Sequence, residues 1–370
     1  MIITGITVWQ RDLPLAEPYW LSGGRLRFDS LDATFVRIET DAGLTGWGEG
    51  TPWGETYLPA HGPGIRAGIQ TLAPALLGQN PRHINHIERA MDLALPGHLY
   101  VKAPLDIACW DIAARAAGVP VATLLGGAYP EPVPVASSVS TGTPEQMLSL
   151  INTYREKGYR VHSAKVGADV ELDIARIRHL EQNRHPQDRI FYDVNRAWTR
   201  AEAAAVMNAV ADLPVVFEQP SETLDDCLAI RRLTRNVIAI DERLETLADM
   251  TRILGDGIAE QINIKINRVG GLTKAARIRD LAIAHGIRIA VMPTGGSVLA
   301  DTDAVHLAQT IPDPFLFAGW SCQDMITEDP APGRGVRTSA GGMAIDPNET
   351  GLGIVPDLDW LGEPMADYRL

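Results

Sequence analysis

Between residues 261 and 267, isoleucines at 262, 264 and 266 alternate with Asn263, Lys265 and Asn267. Side chains alternate across a strand, so this run predicts one apolar face and a second face with a lysine at its centre. Other short β-like runs stand at 133–140, 162–167, 190–195, 215–220, 237–242, 287–293 and 315–320, and amphipathic helical patterns such as LDIARIRHLEQN separate most of them. Eight strands alternating with helices at a repeat of about 25 residues predict an α/β fold, a parallel TIM-type barrel lacking its last helix, (β/α)7β. A doubly wound open sheet competes with this, but no G-x-G-x-x-G opens any of the units.

The first fifty residues follow another rhythm. MIITGITVWQ alternates as a strand, and ATFVRIET and LTGWGEG, on either side of Asp41, Ala42 and Gly43, predict an antiparallel hairpin. From 64 to 118 the pattern turns helical, clearest in LDIACWDIAARAAG, which stops at Gly118 and Pro120. The expectation is an α+β capping domain over residues 1–128, a barrel over 129–335, and a tail over 336–370 that returns to the cap.

Charge narrows the choice of partner. With 33 Lys and Arg against 46 Asp and Glu, the net charge of −13 argues against nucleic acid or an anionic membrane surface. It leaves room for a small carboxylate substrate, which answers to local charge. No apolar run approaches the length of a membrane span, and the N-terminus lacks the features of a signal peptide. Cys109, Cys227 and Cys322 are scattered and form no C-x-x-C pair, so a reduced, cytoplasmic setting is expected. A homo-oligomer is expected as well.

The polar residues at strand ends carry the chemistry. Asp193, Glu218 and Asp241 close the third, fourth and fifth barrel strands at intervals of 25 and 23 residues, one βα unit each. They should therefore stand side by side at the barrel mouth, where such barrels keep their active sites. Crowded carboxylates repel unless a cation joins them, and oxygen donors without His or Cys select Mg2+. The competing expectation is that each acid pairs with a local arginine such as Arg196 or Arg243. Lys265 belongs to the sixth strand and Lys165 to the second, four places apart and so opposed across the axis. Two opposed bases beside a metal suit removal of a proton from one face of a carbon and its return to the other. Desolvation and the cation should both lower the lysine pKa.

The runs DVNRAW, VFEQP, IDE and NIKINRVGGLTKA resemble the enolase superfamily, specifically its muconate-lactonizing subgroup. DATFVRIET, GWGEG and LDIACWDIAARAAGVPVATLLGG resemble that family's capping domain, so the similarity runs over almost the whole chain. The resemblance implies Asp193, Glu218 and Asp241 as Mg2+ ligands and Lys165 and Lys265 as acid/base catalysts. It also implies that loops near residues 20 and 55 close the site and choose the substrate. Glu242 and Ser163 are expected behind these groups, and Asn195 against the substrate. One departure is that the family's second-strand motif is Lys-x-Lys, whereas Ser163, Ala164 and Lys165 stand here.

For the substrate, the end of the eighth strand, AGWSC, offers Trp320, and the capping loops add Tyr19, Trp20, Trp53 and Tyr57. Aromatics are only 6% of the chain, so their gathering in substrate-facing segments points to a cage for a quaternary ammonium. We therefore expect a 2-epimerase or racemase of a compound such as proline betaine or 4-hydroxyproline betaine. The alternatives are an N-acyl amino acid racemase and a muconate-type cycloisomerase. His83 and His86 read as a solvated helix face and His306 as a core histidine. TGGS at 294–297 is either a plain turn or an anion-binding helix start.

Overall fold

Alternating glycines shape the N-terminal half of the computed structural model, which describes residues 1–370. β1 (Ile3–Leu21), β2 (Leu26–Thr40) and β3 (Thr45–Gly50) form an antiparallel meander, followed by α1 (Gly62–Leu76), α2 (Ile84–Ala94), α3 (Leu99–Ala117) and α4 (Val121–Leu124). A Cβ on Gly46 or Gly48 would strike the carbonyl of Ala108 or Pro104, so only glycine lets β3 lie this close to α3. α3 ends where the sequence predicts, at Gly118 in the left-handed conformation.

The short β4 (Val133–Pro134) leads into eight strands paired in sequential order. They are β5 (Ala136–Val139), β6 (Val161–Lys165), β7 (Arg189–Asp193), β8 (Val216–Glu218), β9 (Val237–Ile240), β10 (Gln261–Lys265), β11 (Arg288–Met292) and β12 (Leu316–Gly319). All pairings are parallel, and a bridge between Val135 and Gly319 joins the first edge to the last. After β5 to β9 come α5 (Pro144–Glu156), α6 (Val170–Gln182), α7 (Arg200–Ala209), α8 (Leu224–Arg231) and α9 (Leu247–Asp256). All five start on a Thr or Asp whose side chain accepts an N–H of the first turn, a cap each worth about 1 kcal/mol. α10 (Ile266–Val269) and α11 (Leu272–Ala284) both follow β10, α12 (Val298–Ala308) follows β11, and irregular chain follows β12. β13 (Gly342–Met343) pairs with β4, and after α13 (Leu358–Leu361) the final β14 (Ala366–Arg369) pairs antiparallel with β1. No helix is long and apolar enough to cross a membrane.

Small and aromatic side chains fill the barrel interior: Ala136, Ala239, Ala290 and Ala318 surround Phe191 and Phe317, whose rings meet edge to face at 5.6 Å. The main core lies outside, where helices and cap cover the strands. Cap and barrel are tied by polar contacts between α11 and helices α2 and α3. Arg277 grips Glu88 at 2.6 and 2.7 Å, while Asp106 accepts the Thr273 hydroxyl at 2.5 Å and the Thr273 N–H at 3.0 Å.

Burial pushes Asp106 up to about 6. A carboxyl held above its unfolded value of about 4 contributes stability that is complete below about pH 4 and is lost as pH rises through about 6. Asp106→Asn puts a neutral amide there, its oxygen accepting the Thr273 N–H and its nitrogen donating to the Thr273 hydroxyl oxygen. Scanning calorimetry should therefore show a shallower fall of Tm across that window in the variant than in the wild type.

Candidate active site

Parallel register builds the mouth of the barrel. Lys165 pairs with Asp193 and Asp193 with Glu218 across β6, β7 and β8, and Asp241 follows directly on β9, so the acids stand on successive strand ends. The chain then turns sharply. Asn195, Arg196 and Gln219 all adopt positive φ, a strain that surrounding contacts must hold and that gathers at functional sites. Gln219 is one such holder, because its side-chain oxygen accepts the N–H groups of Asp241 and Arg243 at 3.1 and 3.2 Å. Sequence reasoning passed over Gln219, although it lies inside the VFEQP run.

Lys165, Lys265, Asp193, Glu218, Asn195 and Ser163 open into one cavity of about 40 Å3 under the cap. That volume is above the roughly 10–15 Å3 that a cavity needs to hold a water. Asp241 is fully buried and reaches the cavity through Lys265 at 2.8 Å. Its other oxygen receives Arg268 at 2.8 Å, a partner missed in the sequence. Arg196 and Arg243 turn to Glu222 instead, so of the three acids only Asp241 has an arginine partner, and it is Arg268. A larger cleft of about 1000 Å3 lies behind Leu58 and Tyr100, but its Lys102 and Lys274 are already paired to Asp92 and Glu88.

Electrostatics at the mouth are dominated by the acids. Burial first, then the neighbouring Asp193 and Asp241 charges, raise Glu218 well above the usual carboxylate range. Burial acts the same way on Asp241, but Lys265 and Arg268 outweigh it and hold that carboxyl low. At Lys165 burial opposes the charge, as expected, while the Asp193 carboxylate that it contacts raises it above its ordinary value.

The cap supplies the roof. Tyr19 meets Trp53 at 5.3 Å, and Trp53 meets Trp320 at 6.0 Å, whose indole N–H donates to Ser138 at 2.8 Å. Trp20 does not join them: it is 43% exposed beneath Arg27, because successive residues of β1 face opposite ways and Tyr19 takes the inward side. Tyr57 lines the cavity, but its hydroxyl donates to Glu242 at 2.6 Å, with the Asn195 amide beside both. It therefore latches cap to barrel. The 20s loop docks equally closely, with Ser22 on the Asn195 carbonyl and Gly23 where a Cβ would meet the Gly167 carbonyl. The TGGS turn faces an internal carboxyl: Ser297 donates its N–H and hydroxyl to Glu49 at 2.9 and 2.5 Å, and burial raises that group above its ordinary value. His306 is a bonded core histidine.

Two family models divide the chain between them. Residues 3–126 match the mandelate racemase/muconate lactonizing enzyme N-terminal domain, and residues 146–360 match the enolase C-terminal domain-like model. The chain belongs to the mandelate racemase/muconate lactonizing enzyme family. It is thus an enzyme of the enolase superfamily. It is 42% identical over the full length of both chains to a cis-3-hydroxy-L-proline dehydratase of Roseibium aggregatum. It is also 32% identical to an N-succinyl-L-Arg/Lys racemase of Bacillus cereus, covering 83% of this chain and 84% of that one. A member of the enolase superfamily from Roseovarius nubinhibens, solved in complex with magnesium, matches with a TM-score of 0.95 and 49% identity over 100% of this chain and 99% of that one.

Mg2+ is typical of this superfamily, and the residues here fit it. As they stand, no three acids converge into a coordination shell, since lysines hold two of them. The donor chemistry is nevertheless that of a hard cation: three carboxylates on neighbouring strand ends, with like-charge crowding that a cation on Asp193, Glu218 and Asp241 would relieve.

Proposed function

We propose that this enzyme removes the α-proton of a compact proline-type amino acid and expels a 3-hydroxyl from the opposite ring face, a dehydration of a cis-3-hydroxyproline. The proton chemistry rests on the placement of two lysines four strands apart on one small cavity, and the choice of dehydration on the compact, uncharged far half of the mouth. In the cis isomer the hydroxyl shares the carboxylate's face, so it lies opposite the α-proton. One lysine takes that proton in its neutral form. The other, protonated, hands a proton to the departing hydroxyl, which leaves as water while the C2–C3 double bond forms. A bound divalent cation would hold the substrate carboxylate and offset the charge that builds on it. The product enamine rearranges to a cyclic imine.

The other half of the mouth supports a compact substrate. Met292, Thr294, Trp320, Ser138 and Ser163 bring no ionisable group there, so a second charged arm would find no partner. The full-length likeness to the hydroxyproline dehydratase agrees in substrate class.

A second reading, 2-epimerisation of proline betaine or 4-hydroxyproline betaine, is favoured by the Tyr19–Trp53–Trp320 rings, since aromatic faces bind a cation that cannot donate hydrogen bonds. The same opposed lysines would serve it. Proton NMR in D2O with cis- and trans-3-hydroxy-L-proline and proline betaine separates the two. The cis isomer should lose water at least about a hundredfold faster than the trans isomer, the scale of one general acid. Equal turnover of both isomers contradicts opposed elimination, and inversion of the betaine without turnover of the cis isomer selects the second reading.

A further inference from the structure

β12 is the barrel strand that no helix follows, so the loop starting at Trp320 lacks the packed helix that steadies the other strand ends. One buried side chain stands in for it. Asp301, on α12, accepts the Ser321 hydroxyl and the Gln323 amide at 2.9 Å each, and the Cys322 N–H at 3.4 Å. Gln323 extends the network, donating to the Val336 carbonyl at 3.0 Å and accepting the Thr338 N–H at 3.3 Å. Asp301 is fully buried, and the charged group bearing on it most is Glu49, of the same sign. A carboxyl buried without a cation weakens a fold, so what its bonds position is the reason to look for a role.

We propose that Asp301 is a positioning residue that seats the Trp320 indole against the ring of the bound substrate and so sets the enzyme's affinity for cyclic amino acids. Asp301 clamps residues 321–323, and these follow immediately on Trp320, whose indole meets Ser138 and Trp53. With the clamp gone, only Ser138 and the Trp53 ring would hold the indole, and its backbone would swing with the loop. The affinity half of this inference rests on the cyclic substrate proposed above; the seating of Trp320 does not.

The test uses the full chain labelled with 5-fluorotryptophan, with the Trp320 resonance assigned among the eight tryptophans by its loss in Trp320→Phe. Asp301→Ala, and Asp301→Asn as the milder variant that keeps the side-chain shape, should shift or broaden the Trp320 resonance without substrate. On cis-3-hydroxy-L-proline both variants should raise KM roughly tenfold, the scale of a lost ring contact, while kcat changes less than twofold. In a Trp320→Leu background, Asp301→Ala should raise KM no further. An unmoved Trp320 resonance in both variants overturns the proposal, as does a KM effect that simply adds to that of Trp320→Leu. If the wild type turns over no cyclic amino acid, the substrate reading fails, and the fluorine spectrum alone still decides the seating.

Discussion

Lys165→Ala and Lys265→Ala should each reduce dehydration of cis-3-hydroxy-L-proline by about a thousandfold, within the range for loss of one general acid or base. The two variants should differ in what survives. The lysine facing the α-proton of the L-substrate is the base, and without it neither exchange nor dehydration proceeds. Without the opposite lysine the α-proton can still wash out into D2O while the hydroxyl stays. A pair of NMR time courses, one for the C2 proton and one for product, reads both events. Substantial dehydration by either variant would show that the lysines do not divide the work. In the structure each lysine meets a different acid: Lys165 the Asp193 carboxylate and Lys265 the Asp241 carboxylate.

The second large effect concerns the carboxylate array. Removal of divalent cations with EDTA should abolish turnover, Mg2+ should restore it, and Glu218→Gln should lower activity by at least about a hundredfold, since charge stabilisation by a metal is worth several kcal/mol. Stability offers an independent reading. At a Mg2+ concentration about a hundredfold above Kd, binding adds about 2.7 kcal/mol to the unfolding free energy of the wild type. Glu218→Gln should lose most of that increment. In EDTA the same variant should melt above the wild type, because it removes a buried carboxyl that Asp193 and Asp241 crowd. Full activity in metal-free protein, or no thermal response to Mg2+, would refute the assignment.

The proposed chemistry leaves the cap two tasks, exclusion of water and selection of the ring. Tyr57, bonded to Glu242, and Ser22, bonded to the Asn195 carbonyl, would do the first by fastening both loops beside Asp241 and two residues past Asp193. Under the proposed function, Tyr19 and Trp53 of the cap would do the second together with Trp320 of the barrel. Ser163 opens into the cavity where the family motif has a second lysine, which leaves that wall uncharged. An amino acid that keeps its own cationic nitrogen gains from this, because a lysine there would repel it.

How much of this was legible without coordinates follows from the range of each interaction. Strand alternation and the spacing of one βα unit are local properties, and they determined that Asp193, Glu218 and Asp241 stand on successive strand ends and that Lys165 and Lys265 lie on opposed strands. The hairpin of β2 and β3 and the stop at Gly118 were equally local. Tertiary structure decided whatever depends on residues far apart in the chain. Only the pairing of β1 with β2 reveals that Tyr19 faces inward and Trp20 outward. The Tyr57 hydroxyl finds Glu242 across 185 residues, Glu49 reaches Ser297 across 248, and Asp301 clamps a loop 20 residues on. Arg268 lies near Lys265 in sequence, but its pairing with Asp241 depends on the turn of α10 bringing it back over the fifth strand. Periodicity along a strand says which residues share a face, whereas the partner opposite that face is chosen by how loops, cap and barrel close together.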